Sequence, residues 1–266
     1  MSNPFEDPTF VFATSVEDAG AGLKLLTFPD SFRCYTHSSE QEVMLIYNEI
    51  FVKHEYLGAQ IDLQGCRYVF DVGANIGLFT LFAKLTNPDL IVHAFEPIKP
   101  TYDVLVKNIE LHGLTDVYPH NYAIGGQDGA ERAITFYPNV AGNSTAHPES
   151  KEPQKRMLTE LIGPEQVEYL FGAAQVHAVP TRTLSAVIDC QGIGAIDMLK
   201  IDVEGDELAV LQGIWDVHFP LIRQIAAEVH SDALLAEIQP LLARRGFSVA
   251  SDAGIAHSSN MYATRR

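Results

Sequence analysis

The stretch Arg67-Tyr-Val-Phe-Asp-Val-Gly-Ala-Asn-Ile-Gly-Leu-Phe-Thr80 decides how the rest of the chain is read. Tyr68, Val69, Phe70 and Val72 make a short run of aromatic and β-branched residues, the pattern of a buried strand. The run carries Asp71 and passes into Gly73 and Gly77, then into an apolar helical pattern. Strand, glycine turn and helix together make a nucleotide site. Glycine lets the backbone approach a ligand, and a helix start leaves N–H groups free.

Outward from this stretch, strand and helix patterns alternate. The spacing predicts a strand over 67–72, a helix over 76–85 and a strand over 90–95 that ends at Glu96-Pro97. Val104, Leu105 and Ile109 then mark one face of a helix that opens near Pro100 and stops at Gly113. A third strand is expected over 117–122. Beyond a less regular stretch the alternation resumes: helix 183–188, strand 196–201 leading into Asp202-Val-Glu-Gly205, helix 207–215 and strand 222–229 closed by His230. A helix over 232–245 and strands over 247–250 and 260–264 complete the pattern, the last returning antiparallel across a loop at 251–259. Seven strands with intervening helices predict an α/β fold, a doubly wound and mostly parallel sheet with an antiparallel last strand.

Two segments stand apart from the alternation. Residues 1–64 suggest a ribbon from 23–28 and 31–35, then a helix opened by Ser39 and Glu42 at capping-box spacing. This part reads as an N-terminal lid or extension packed on a domain over 65–266. The second segment is an insertion at about 131–180, with a strand over 133–137, Asn143-Ser144-Thr145 in a loop, a polar run at 148–155 and a helix over 165–171. Insertions between sheet strands are frequent carriers of specificity.

Composition bounds the partners. The chain has 266 residues, 47% apolar, and a net charge of −16 from 34 acids against 18 bases. Phosphate backbones need a basic surface, so nucleic acid is disfavoured. Lys155-Arg156, Arg244-Arg245 and Arg265-Arg266 are local pairs that read as solvated. Cys34, Cys66 and Cys190 are too widely spaced for a disulfide framework or a zinc site. With no basic apolar leader and no apolar run near the ~20 residues of a membrane span, the expectation is a cytoplasmic protein without a membrane partner. Nothing in the pattern speaks to oligomeric state.

The identity of the nucleotide follows from what the turn contains. Asp71-x-Gly73-x-Asn75-x-Gly77 lacks the G-x-G-x-x-G spacing of a dinucleotide site and the Lys-Ser/Thr of a P-loop. An acid at the strand end repels a pyrophosphate and suits a cation. Glu96, 19 residues past Gly77, ends the second strand, where a carboxylate can accept bonds from ribose hydroxyls. Singly, Asp71 reads as well as a helix-capping acid and Glu96 as a solvated strand end; the pair at this spacing points to a phosphate-free nucleoside with a cationic tail, S-adenosylmethionine. Asp71, Gly73, Ala74, Asn75, Gly77, Glu96 and Pro97 are its expected contacts, with Ala123 near the adenine and Asp202 at the neighbouring strand end. Two other readings stand beside this one. An NAD-type oxidoreductase is disfavoured by the missing glycine spacing, and a non-catalytic cofactor-binding module by the polar residues on the later strands.

The chain also resembles the FkbM-type methyltransferases. The residues that carry the likeness are Phe70-Asp-Val-Gly-Ala-Asn-Ile-Gly-Leu-Phe79, Ala94-Phe-Glu-Pro97, Lys107-Asn108, Thr183-Leu184, Leu199-Lys-Ile-Asp-Val-Glu-Gly205 with Glu207 and Leu211, and Glu228-Val-His230. They span about residues 42–265, and the Lys-Ile-Asp-Val-Glu-Gly element is the most specific. The chain departs from the family at His112, where Asn is usual, and in a longer segment over 145–180. The resemblance implies a Rossmann-like class I methyltransferase fold. It also implies methyl transfer to a hydroxyl of a sugar, lipid or natural product, including a carrier-tethered polyketide or peptide.

Transfer from a sulfonium is an in-line displacement, and a hydroxyl acceptor must also lose a proton. The crevice of a doubly wound sheet lies beyond the carboxyl ends of its strands, where the fourth and fifth strands deliver Asp202, Glu204, Glu228 and His230. His230 has the ordinary pKa of a base at neutral pH, and a neighbouring carboxylate would orient it. Lys200, Asp202 and Glu204 alternate and share one side if the chain stays extended; a mutual ion pair explains them equally well. Asp202, Glu204 and His230 also suit a divalent metal, although no spacing demands one. Asn143 and Ser144 are candidate substrate contacts from the insertion, and a plain turn explains them as readily.

Overall fold

Three sheets organise the chain in a computed structural model that describes residues 4–58, 61–253 and 258–265. The first is an antiparallel ribbon of β1 (Ser15–Gly20), β2 (Leu23–Thr27) and β3 (Arg33–Thr36). Two of these strands are legible as sequence; β1 is not, because Ser-Val-Glu-Asp-Ala-Gly is polar and solvent-facing along almost its whole length. Helix α1 (Glu40–Tyr47) starts at Ser39, whose hydroxyl accepts from Glu42 N at 3.3 Å. The capping box is half closed, since the Glu42 carboxylate turns to residues 141–142 instead. A π-helical turn (Asn48–Val52) and a 3-10 turn (Glu55–Leu57) carry the chain on to the main sheet.

The alternating part follows as β4 (Tyr68–Val72), α2 (Leu78–Thr86), β5 (Ile91–Phe95), α3 (Lys99–Leu111) and β6 (Val117–His120). Then come β7 (Ala123–Ile124), β8 (Glu131–Phe136), α4 (Glu152–Ile162), α5 (Pro164–Phe171) and β9 (Gln175–Arg182). The last third holds α6 (Leu184–Gln191), β10 (Ile196–Ile201), α7 (Glu207–Gln212), β11 (Ile222–Val229), α8 (Asp232–Arg244), β12 (Phe247–Ala253) and β13 (Ser259–Arg265). Seven strands form the main sheet in the order β12-β13-β11-β10-β4-β5-β6. Pairing is parallel from β11 through β6, and β13 runs antiparallel to both its neighbours. The chain winds from β4 towards β6 and later from β10 towards the other edge, so the switch point lies between β4 and β10.

Several boundaries move from their expected places. The helix expected over 207–215 stops at Gln212 with Gly213 as its C-cap, a position where a Cβ would be 2.2 Å from the Gly125 carbonyl oxygen. The strand expected over 117–122 ends at His120, and the chain resumes as β7 in a separate small sheet, β7-β9-β8. The polar run at 148–155 forms a 3-10 turn and opens α4, a helix with no fully buried side chain whose apolar residues, Met157, Leu158, Leu161 and Ile162, come only in its second half. Residues 254–257 of the expected loop and Arg266 of the terminal basic pair lie outside the described residues.

Both faces of the main sheet are covered. Leu26, Phe28, Phe32, Val43, Tyr47 and Ile50 from the N-terminal part share one core with Val69, Leu81, Val92 and Met198. Phe28 and Tyr47 stack there at 3.7 Å between ring centroids. On the other face Phe70, Val72, Leu199 and Ile201 pack with Leu184, Leu211, Ile238 and Leu242. Each such side chain contributes about 1.5–3 kcal/mol by leaving water. The N-terminal part shares the cover of the first face with α2 and α3. Among the described residues no helix is long and apolar enough to cross a membrane.

Candidate active site

The glycine turn after β4 is forced into its shape by close neighbours. Gly73 has φ +79°, and a Cβ there would lie 1.7 Å from the Asp202 carbonyl oxygen. Gly77 has φ +94°, and its Cβ would meet Leu105 Cδ1 at 2.6 Å. Gly73 N and Ala74 N both donate to Phe95 O, at 3.1 and 2.9 Å. Asn75, left-handed at φ +49°, accepts from Ile76 N through its own Oδ1 at 2.8 Å. The loop is therefore rigid before any ligand arrives.

Asp71 lies behind this loop. It is fully buried, accepts from Thr80 Oγ1 at 2.7 Å and pairs with Lys200 Nζ at 3.2 Å. Lys200 Nζ in turn donates to Gly73 O at 2.7 Å, tying the loop to β10. Burial opposes the charge on Lys200, yet Asp71 and Asp202 outweigh it and raise the pKa. Strand alternation turns the Asp71 carboxylate under α2, where it holds the glycine loop through Lys200.

Glu96 stands at the end of β5 as expected. Its Oε2 accepts from Asn75 N at 3.0 Å and its Oε1 from Ile98 N at 2.8 Å, leaving further lone pairs for hydroxyl donors. Burial pushes its pKa up to about 7 against these hydrogen bonds. Asn121 Nδ2 fixes the backbone beside it, donating to Glu96 O and Pro97 O at 2.9 Å each. Ala123 follows β6 and pairs with Thr181, half-buried at the same end of the sheet.

The later strands bring the remaining candidates to one point, though not by simple alternation. The chain leaves the extended state after Ile201, and Glu204 takes a left-handed φ of +56° before Gly205 at +110°. That turn, rather than a straight strand, returns the Glu204 carboxylate beside Asp202. His230 Nε2 lies 3.1 Å from Glu204 Oε2, 3.9 Å from Glu228 Oε1 and 4.0 Å from Asp202 Oδ1. Its Nδ1 lies 2.8 Å from Oε1 of the fully buried Glu207, which also accepts from Gly205 N at 2.8 Å. Burial works against a charge on His230, but Glu204 and Glu207 overcome it and hold its pKa well above the usual value. Burial likewise opposes ionisation of Glu204, and His230 and Lys151 pull its pKa down to about 2. Glu228 moves the other way, up to about 7, through burial and repulsion from Asp202.

The N-terminal part and the insertion wall this cluster in. Tyr56 OH donates to Asp202 Oδ2 at 2.9 Å. Glu49, on the π-helical turn, has its pKa raised well above the usual value by burial and by Glu228, Glu55 and Asp202. From the other side Thr145 Oγ1 donates to Glu204 O at 2.6 Å, and Lys151 Nζ donates to Glu204 Oε2. Lys151 also donates to Asn143 Oδ1 at 3.3 Å, while Ser144 Oγ accepts from Tyr137 N at 3.2 Å within its own turn. Glu42 accepts from Ala141 N at 3.0 Å and from Gly142 N at 2.9 Å. Lys151, Tyr56 and Glu49 had no sequence signal beyond a polar residue in a loop or helix. Glu207 was visible only as part of a motif.

The donor set fits a phosphate-free cationic nucleoside: carboxylates line the rim, and its lysines, Lys151 and Lys200, are already engaged by Glu204 and Asp71. For a divalent cation the geometry exchanges one member of the expected set. Ligand atoms of Asp202, Glu228 and His230 all lie within 4.8 Å of one another, whereas Glu204 is held by Lys151.

Comparison with known proteins identifies the family of the chain. Residues 71–249 match the model of the Methyltransferase FkbM domain family. The chain is 36% identical over 225 residues to the 31-O-demethyl-FK506 methyltransferase FkbM of Streptomyces tacrolimicus, covering 81% of this chain and 86% of that one. It is 35% identical over 228 residues to the methyltransferase sdnD of Sordaria araneosa, covering 82% and 87%. A 232-residue match at 33% identity to the AMB antimetabolite synthetase AmbE of Pseudomonas aeruginosa covers 78% of this chain and 11% of that one.

Proposed function

The chain belongs to the FkbM methyltransferase family, and on that premise we propose that it transfers a methyl group from S-adenosylmethionine to a hydroxyl of a small-molecule or natural-product acceptor. It is a methyltransferase with a Rossmann-like class I fold. That assignment leaves the NAD-type and non-catalytic readings without support. The observation that carries the finer reading is the convergence of Glu204, Glu228 and His230 beside Asp202, whose backbone touches the glycine turn. The Streptomyces relative, a 31-O-demethyl-FK506 methyltransferase by name, supports oxygen as the acceptor atom. The match within a synthetase is in keeping with an acceptor that is free or carrier-tethered.

When bound, S-adenosylmethionine supplies an electrophilic methyl group and a permanent positive charge. The chain's own residues do the rest. Gly73, Ala74, Asn75 and Gly77 hold the backbone shape against which the ligand lies, and Glu96 receives the ribose hydroxyls through its free lone pairs. The carboxylate of Asp202 suits the cationic tail, while Asp71 keeps Lys200 on the loop. The Glu228–His230 pair takes the proton of the acceptor hydroxyl. Glu228, near pH 7 in its proton affinity, is poised for that exchange, and His230 is fixed by Glu207. A positive charge held beside His230 would lower its proton affinity by repulsion. Asn143, which accepts from Lys151 beside Glu204, and Ser144 in the same turn would contact the acceptor. On this reading the enzyme has no nucleic-acid or membrane partner and works in the cytoplasm.

A second reading is favoured by the 4.8 Å grouping of Asp202, Glu228 and His230. These three would hold a divalent cation that orients the acceptor oxygen and lowers its pKa. Assay after exhaustive chelation separates the two: full activity without metal supports the acid–base pair, and activity restored only by Mg2+ or Mn2+ supports the second. The first reading is tested by calorimetric titration with S-adenosylhomocysteine and NAD, followed by mass analysis of hydroxyl acceptors incubated with S-adenosylmethionine. Binding of NAD alone, or methylation at nitrogen or carbon, would overturn it.

A further inference from the structure

We infer that Lys151, brought in by the insertion, is a positioning residue for methyl transfer: it fixes Glu204, and Glu204 holds His230 facing the acceptor. This deepens the proposed function and rests on it. Lys151 ends a 3-10 turn (Pro148–Lys151) far in sequence from every motif strand, yet it is almost wholly buried. Its ammonium donates to Glu204 Oε2, the same oxygen that lies 3.1 Å from His230 Nε2. Glu207 stands on the other ring nitrogen at 2.8 Å. The result is an alternating chain of charges, Lys151, Glu204, His230, Glu207, anchored at one end in the insertion and at the other in α7.

The insertion is built to deliver that ammonium. Thr145 Oγ1 bonds Glu204 O at 2.6 Å, and Arg132 and His147 meet Asp206 at 2.6 and 2.8 Å. These bonds fasten the segment that leads into Lys151 to the turn that carries Glu204. Without Lys151, Glu204 would have His230 as its one cation and could swing to share both oxygens with the ring, turning Nε2 away from Glu228 and the acceptor. A buried carboxylate left without its cation is costly and relaxes by moving. Placement errors near 1 Å cost about 100-fold in rate.

The test uses the full chain with Lys151→Met, Lys151→Gln and Lys151→Arg. Lys151→Met and Lys151→Gln are expected to lower kcat about 100-fold while the S-adenosylhomocysteine Kd stays within about threefold, and Lys151→Arg to restore most of the rate. The His230 ring resonances, read by NMR at one fixed pH, are expected to move in the Met and Gln variants and return in the Arg variant. Because that readout needs no turnover, it stands even if the acceptor reading fails. An unchanged kcat in Lys151→Met overturns the inference. So does a loss of rate that tracks a loss of ligand binding or folding with no rescue by arginine, or an unmoved His230 signal.

Discussion

His230 Nδ1 and Glu207 Oε1 lie 2.8 Å apart, and Glu207 is fully buried beneath the ring. A buried carboxylate on one nitrogen decides which way the other one faces, so the direction of His230 Nε2 is set from below. Glu207→Gln keeps the shape and removes the charge. We expect kcat to fall roughly 10–100-fold, the usual effect of losing such an outer partner, with the S-adenosylhomocysteine Kd little changed. Steady-state kinetics beside calorimetry checks this, and an unaltered kcat would count against the orienting role.

The Gly73 backbone has no room for a side chain, since a Cβ would lie 1.7 Å from Asp202 O. Gly73→Ala must push the glycine turn away from β10 or adopt a strained φ, a cost of order 1–3 kcal/mol. The expected outcome is a lower Tm together with at least tenfold weaker S-adenosylhomocysteine binding. Parental affinity in a folded Gly73→Ala protein would show that the turn does not hold the ligand.

The buried Asp71–Lys200 pair yields a stability prediction. Asp71→Ala leaves the Lys200 ammonium buried with Asp202 at 3.7 Å as its nearest remaining acid. Breaking one side of such a pair costs about 3–5 kcal/mol, and denaturant melts should register it. Asp71→Ala with unchanged stability would mean that Lys200 relaxes freely to solvent.

The pH dependence of stability has a definite sign. Burial raises Glu42 and Glu96 from an ordinary 4.5 to about 7. Between those values the folded chain keeps protons that the unfolded chain has released, so stability falls as pH rises through the window. The cost is fully present above about pH 7. The Tm is therefore expected to be higher at pH 6 than at pH 8, and Glu42→Gln to narrow the gap. An equal gap in the variant would contradict the burial of that carboxylate as a charged group.

The fold was largely legible because its strands are apolar runs bounded by turn residues. β4, β10 and β11 announce themselves as Tyr68–Val72, Ile196–Ile201 and Ile222–Val229. β1 did not, since a strand that buries almost nothing leaves no periodicity, and the apolar stripe of α4, Met157, Leu158, Leu161 and Ile162, is short and follows a polar first turn. In the site, His230, Asp202, Glu204 and Glu228 could be named because they end strands whose carboxyl ends form the crevice. Their mutual arrangement could not, because it depends on a left-handed residue at Glu204 that the alternation rule does not anticipate. Lys151 and Tyr56 come from segments 53 and 146 residues away from the acids they touch, a tertiary fact with no local pattern. Asp71 was correctly placed at the strand end, yet its partners Thr80 and Lys200 decide that it faces inward.

The central claim is that the Glu228–His230 pair removes the acceptor proton in a transfer from S-adenosylmethionine to oxygen. The most direct measurement is single-turnover methyl transfer by His230→Ala and Glu228→Gln under saturating cofactor, with S-adenosylhomocysteine affinity determined in parallel. The account predicts rates lower by about 10²–10⁴-fold in His230→Ala and a clear loss in Glu228→Gln, each with cofactor affinity retained. Full-rate transfer to a hydroxyl by His230→Ala would contradict it.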